Sequence, residues 1–188
     1  TLLEERAKHY HGLNLNREVL EGLMKHRTVF DQEHGQHLQQ SPTLEAQVVN
    51  LADEIAYNHH DVDDGLRSEL LTLDQLRDVT LFANHYDDVM QRYPGLAPRR
   101  AIYETLRRMI NRVVTDLIDT SRSRLSQVDA RSIEDIRRHS EPLILYSEEV
   151  VALSRELKRY FRRNLYAHDR VRSETDEQVG RSEEQTTE

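Results

Sequence analysis

Residues 41–66, SPTLEAQVVNLADEIAYNHHDVDDGL, decide the fold. Ser41 offers an N-cap, and Pro42 suits the first helical position, where its missing N–H needs no partner. At about 100° per residue, Leu44, Val48, Leu51, Ala52, Ile55, Val62 and Leu66 fall within one arc of roughly 100°, an apolar face wide enough to bury. A second arc carries Asn50, Asp53, Glu54, Tyr57 and Asp61, stacked along another side because residues three or four apart share a helix face. Asp is a poor mid-helix residue, since its short side chain competes for the backbone. Two readings fit this stripe. It is a solvated face covered by Tyr57, or a functional face on which Asp53 ligates a metal while Tyr57 and Asp61, one and two turns on, hydrogen-bond a ligand.

Helical patterning continues on both sides. Asn16 is the expected N-cap of a preceding helix with Val19, Leu20, Leu23 and Met24 toward the core. Lys25 and His26 end it, where basic side chains complement the macrodipole. Residues 28–40 lose all periodicity and read as a surface loop. Downstream, Thr72 and Gln75 form a capping box for a helix over 73–92, with Leu76, Val79, Thr80, Ala83 and Tyr86 inward and Tyr93-Pro94-Gly95 as its break. A long amphipathic helix over 98–125 follows, facing the core with Ile102, Leu106, Met109, Ile110, Val113, Val114 and Leu117. Residues 126–141 read as a charged connection. A last helix over 142–165 is expected to bury Leu145, Val150, Leu153, Leu157, Phe161 and Leu165. Beyond Val171 the acidic, apolar-poor tail cannot offset its ordering entropy and is expected to be disordered.

With 188 residues, 32% of them charged, and only six Gly and four Pro, the chain suits one all-α domain rather than a sandwich or barrel. A formal charge of −8 does not advertise nucleic-acid binding by the surface as a whole. Zero cysteines exclude disulfides and thiolate metal sites. The apolar runs are far too short for a membrane span, so a cytoplasmic protein without membrane contact is expected. Residues 1–8 lack an initiator Met and read as the last turns of a helix, implying sequence upstream. His9 and His11 read as loop residues, because alternate spacing suits a strand or loop better than a helix face. The Asp61, Asp63, Gly65 pattern is too short for a calcium loop, and Thr72 stands where the bidentate Glu belongs.

The segment LEAQVVNLADEIAYNHHDVDDGL resembles the last metal-ligand helix of bacterial dGTP triphosphohydrolase-like proteins, a branch of the HD-domain phosphohydrolases. HGLNLNREVLEGLMKH resembles the helix just upstream in that family, and RRMINRVVTDLI and RRNLYAHDRV resemble its downstream helices. The likeness covers most of residues 1–171 and is most specific at 44–66. It implies a fragment of an HD-like helical bundle with additional C-terminal helices: residues 1–70 as the end of the phosphohydrolase domain, 71–171 as its helical extension, and 172–188 as the tail.

The resemblance also implies a chemistry. A divalent metal such as Mn or Mg, held by a first His, an adjacent His-Asp pair and a distant Asp, activates water that attacks the α-phosphorus of a deoxynucleoside triphosphate and releases tripolyphosphate. Asp53 matches the distant Asp, and Tyr57 and Asp61 match positions that contact deoxyribose. Lys25 and His26 fall where the family has a cleft element. The arginines of the 98–125 segment, Arg107 and Arg108 among them, suit a triphosphate, since Arg matches phosphate oxygens bidentately. A homo-oligomer is also implied. The first His and the His-Asp pair have no counterpart here, and His60-Asp61 and His168-Asp169 read as coincidental, so the fragment alone is expected to be inactive. The alternative is a non-catalytic helical module whose Arg-bearing helices bind an acidic partner or nucleic acid.

Overall fold

The computed structural model describes residues 15–25 and 41–166, and every regular element among them is helical. In chain order these are α1 (Arg17–Lys25), α2 (Leu44–Arg67), α3 (Leu73–Leu76), α4 (Thr80–Arg92), α5 (Pro98–Ser126), α6 (Ile133–Arg138) and α7 (Glu148–Asn164). The all-α class is the expected one and is consistent with an HD-like bundle. The expectations for residues 1–14, 28–40 and 172–188, and for His168-Asp169, lie outside the described residues. Two compact units divide the described residues: 15–25 and 41–53 with 121–145, and 54–120 with 146–166.

In the first unit, buried polar groups settle where helices begin and end. The cap of α2 is Thr43, whose hydroxyl oxygen accepts the Ala46 N–H at 3.3 Å, and not the expected Ser41. Ser41 is otherwise engaged, its N–H donating to the Arg137 carbonyl at 3.2 Å and its hydroxyl to that of His139. One turn into α2 the buried Gln47 amide donates to the Pro42 carbonyl at 2.9 Å, and its oxygen accepts the N–H groups of Leu143 and Ile144 at 2.9 and 3.1 Å. The Leu145 N–H goes to the Ser121 hydroxyl at 3.0 Å. With three successive amides committed to side chains, 142–147 is not helical as expected, and α7 starts only at Glu148. The supposed connection over 126–141 contains α6, opened by a Ser132–Asp135 capping box. Asn16 does cap α1, accepting the Val19 N–H at 2.9 Å. Yet Val19 and Leu23 are 45% and 53% exposed, so they are not core. Instead Gly22 lies toward Ala46 of α2, and Glu21 accepts a hydrogen bond from Arg137.

In the second unit, α4 packs on α7, and Phe82, Val89, Val150, Leu157 and Phe161 are all at most 1% exposed. The Thr72–Gln75 capping box forms as expected, at 3.0 and 3.3 Å, but the helix it opens stops after one turn. Asp78, Val79 and Thr80 are weak helix formers in succession. The Thr80 N–H and hydroxyl, which a continuous helix would direct elsewhere, donate to the Glu156 carboxylate of α7 at 3.2 and 3.0 Å. The expected single helix over 73–92 is therefore two, and Thr80 is exposed. The break after Arg92 falls as expected, with Gly95 at φ +85°, a conformation that disfavours side chains. On α5, Leu106, Met109, Val113 and Leu117 are buried while Ile110 is 39% exposed, a narrower face than expected. The buried side of α2 is likewise displaced: Gln47, Ile55, Asn58, His59, Val62 and Gly65 are buried, whereas Val48 and Ala52 are exposed. Polar side chains, among them Gln47 with three backbone partners and His59 with the Ile55 carbonyl, took places that hydropathy alone assigns to Val and Ala.

Candidate functional site

The stripe on α2 is present in the expected register. Asp53, Tyr57 and Asp61 lie on one continuous helix at intervals of four, each about 40° round from the last. Asp53 and Tyr57 are exposed, and Asp61 is half-buried. In the second unit, α7 and the turn after it meet this helix at two points. The Lys158 ammonium lies 2.8 Å from the Glu54 carboxylate, and the Tyr166 hydroxyl donates to Asp61 Oδ2. The two contacts follow the same order along both segments, seven residues apart from Glu54 to Asp61 and eight from Lys158 to Tyr166.

The Phe161 ring, buried on α7, tilts against the Tyr166 ring at 6.2 Å between centroids and fixes its approach to Asp61. Partial burial raises the Asp61 carboxyl above its ordinary range, and nearby Asp64 adds to this, while the Tyr166 hydrogen bond opposes it. Tyr166 is pushed well above an ordinary phenol by burial first, then by its bond to Asp61 and by the neighbouring Asp61 charge and Tyr57. It therefore stays protonated and keeps donating. Asp61 retains acceptor capacity on its second oxygen, and the Tyr57 hydroxyl stands next to the pair. The arrangement suits a ligand with a hydroxyl to donate to Asp61, an apolar ring face against tyrosine, and an anionic group toward Lys158.

The other expected residues fall elsewhere or outside the description. Arg107 donates to Glu104 at 2.8 and 2.7 Å, and Arg108 donates to Glu104 at 2.8 Å and Asp88 at 2.7 Å. Those bonds hold the Glu104 carboxyl down at about 2. Both arginines are thus engaged by carboxylates of α4 and α5 and not gathered at the α2 stripe. His26 and the side chain of Lys25 lie outside the described residues. Among the described residues no group of three or more His, Cys, Asp or Glu could hold a metal ion, so they do not complete a metal site at Asp53. Lys158 and Tyr166 adjoin the stripe, and neither is among the expected site residues. Lys158 reads from sequence as a complement to a helix dipole or as one of several cations for an anionic nucleotide at a subunit boundary, and no local pattern points either residue to α2.

The fold and stripe define an all-helical protein consistent with the HD-like bundle class. No protein-family model matches the chain. It is 48% identical over 178 residues to a deoxyguanosinetriphosphate triphosphohydrolase-like protein of Bordetella pertussis, covering 90% of this chain and 45% of that protein. The likenamed proteins of Thiobacillus denitrificans and Geobacter metallireducens are 45% and 40% identical, each over 90% of this chain and 46% and 45% of their own. The chain is thus homologous to the dGTP triphosphohydrolase-like proteins, a phosphohydrolase family, and spans about half the length of the curated relatives it matches. No helix among the described residues is long and apolar enough to cross a membrane.

Proposed function

We propose that this chain forms the sugar-facing wall, and supplies one metal carboxylate, of a deoxynucleoside triphosphate triphosphohydrolase. The observation that carries the reading is the Tyr166 hydroxyl on Asp61 beside Tyr57, on the α2 stripe where the chain resembles its phosphohydrolase relatives. Asp61 accepts the 3′-hydroxyl of the nucleotide. Tyr57 and Tyr166 close round the ring, and an aromatic face packed on the sugar leaves little room for a 2′-hydroxyl. Lys158, released from Glu54, is the cation for the phosphates. Asp53 is one oxygen ligand of a divalent cation. A single carboxylate does not fit such a site by itself, because hard cations take several oxygen or nitrogen ligands and the described residues do not complete the set, so the 188-residue chain alone is expected not to hydrolyse nucleotide.

The test uses the 188-residue chain and the longest natural protein that contains it. The chain alone should release no tripolyphosphate from dGTP with Mn present, while the longer protein should, and Asp53→Ala in it should lower turnover by at least a thousandfold. Asp61→Asn should raise KM for dGTP more than it lowers kcat. Turnover by the chain alone, or an active Asp53→Ala protein, would overturn the assignment.

A further inference from the structure

Of the two contacts between the α2 stripe and the α7 segment, the one at Glu54 is an ion pair. Lys158 Nζ lies 2.8 Å from Glu54 Oε2, and the two side chains are only 26% and 29% exposed. That sets the pair apart from Arg131 and Asp129, 83% and 82% exposed, whose attraction water screens. Partial withdrawal from water strengthens the attraction and commits the Lys158 charge to one partner. The neighbours of Glu54 named by the structure do not relieve it of that partner. Asp53, next to it on α2, is another acid, and the buried Tyr146 phenol is pushed above its ordinary range by burial first and then by the Glu54 and Asp116 charges, so it stays neutral. Lys158 is the cation that meets this carboxylate.

A carboxylate tethered to the same fold competes with any anion arriving from solution, because its concentration at Lys158 is set by the chain and not by dilution. Phosphates therefore reach Lys158 by displacing Glu54, and the displaced carboxylate then stands beside them with like charge. We propose, on the reading that Lys158 meets the phosphates of the nucleotide, that Glu54 is a resident competitor for them: it holds Lys158 until phosphate displaces it. It thereby weakens the binding of ligands that carry phosphate and spares the sugar and base. Placement makes the effect selective. Glu54 and Asp61 lie seven residues apart on the continuous α2, about 10 Å along its axis, so the carboxylate that opposes phosphate is distinct from the one that takes the 3′-hydroxyl. Because the displacement is needed equally in the bound ground state and the transition state, Glu54 acts on KM more than on kcat.

Steady-state kinetics of the longest natural protein that contains the chain, with Mn in excess, tests this through dGTP as substrate and through inorganic tripolyphosphate and deoxyguanosine as inhibitors. Glu54→Gln should lower KM for dGTP and the inhibition constant of tripolyphosphate by about fivefold each, with a smaller effect on kcat. The inhibition constant of deoxyguanosine, which has no phosphate, should not move, and this also shows that the substituted site is folded. Lys158→Gln should raise the first two constants about tenfold and again spare deoxyguanosine. Calorimetric titration with tripolyphosphate in the absence of metal should rank the three proteins in the same order. If Lys158→Gln weakens phosphate binding while Glu54→Gln leaves it unchanged or weakens it too, Glu54 is a positioning partner of Lys158, and the competitor role alone is overturned. If Lys158→Gln changes neither constant, Lys158 does not meet the phosphates, and the reading of the site falls with the proposal. A deoxyguanosine constant that shifts along with the others in Glu54→Gln would show a general disturbance and overturn the competitor role as well.

Discussion

The pair formed by Asp61 and Tyr166 joins residues 105 positions apart, and its two members divide what sequence can and cannot reveal. Asp53, Tyr57 and Asp61 are legible because a helix has a fixed period, so three polar residues at intervals of four must share a side. Tyr166 is not, because nothing local tells a tyrosine at a helix end which distant carboxylate it will meet. The pair also makes a test of charge. Burial raises the Asp61 carboxyl, and the Tyr166 bond restrains that rise. Because the folded state holds the Asp61 proton more tightly than the unfolded chain, stability contributed here falls as pH rises from the unfolded value toward the folded one. Tyr166→Phe removes the restraint and keeps the ring against Phe161. The Asp61 carboxyl, followed by carbon NMR, should then titrate at higher pH than in the parent, and the stability loss should extend to higher pH with it. An unchanged titration would mean that the hydroxyl does not engage Asp61.

At the scale of the helix, hydropathy locates elements better than it locates their ends and faces. α1, α2, α5 and the body of α7 follow from apolar spacing, which reports a long periodic segment. The break before Thr80 does not, because it depends on a carboxylate from α7, and α6 is too short for periodicity to register. The buried face of α2 departs furthest from expectation through His59. Its Nδ1 lies 2.5 Å from the Ile55 carbonyl, while its buried Nε2 has no partner among the described residues. Desolvation, countered by the Ile55 bond and joined by the nearby His60 and His85, lowers its basicity below the ordinary 6.5. Protonation would bury a second donor without an acceptor. The unfolded chain therefore binds a proton that the fold refuses, so stability should be lost as pH falls below about 6.5 toward the depressed folded value. Thermal unfolding of the parent and of His59→Gln, followed between neutral and mildly acid pH, checks this. The substitution should flatten the acid limb of the stability curve, and parallel curves would show that His59 is not its source.

Across the whole molecule, α2 and α5 each contribute to both compact units, so the sequence offers no punctuation at two of the three points where the chain passes between them. The dividing lines at Asp53 and Ser121 fall inside helices where neither Gly nor Pro marks a change. Within the first unit the organising group is one amide, Gln47, whose oxygen takes the N–H groups of both Leu143 and Ile144. Replacing it with Leu keeps the volume close but leaves two buried donors without acceptors, at about 1–3 kcal/mol each. If each unit has its own opening equilibrium, that loss is confined to the first. Hydrogen exchange distinguishes the cases through amides that Gln47 does not itself bond. The Ile136 and Leu145 amides, held by the Ser132 carbonyl and the Ser121 hydroxyl, should exchange at least about tenfold faster in Gln47→Leu, since each 1.4 kcal/mol is a factor of ten. The interior amides of α7, around Leu157, should keep their protection. Equal acceleration in α7 would instead show that the two units open as one cooperative body, and the amide of Gln47 would then support the fold that carries the Asp61 and Tyr166 pair as well as its own.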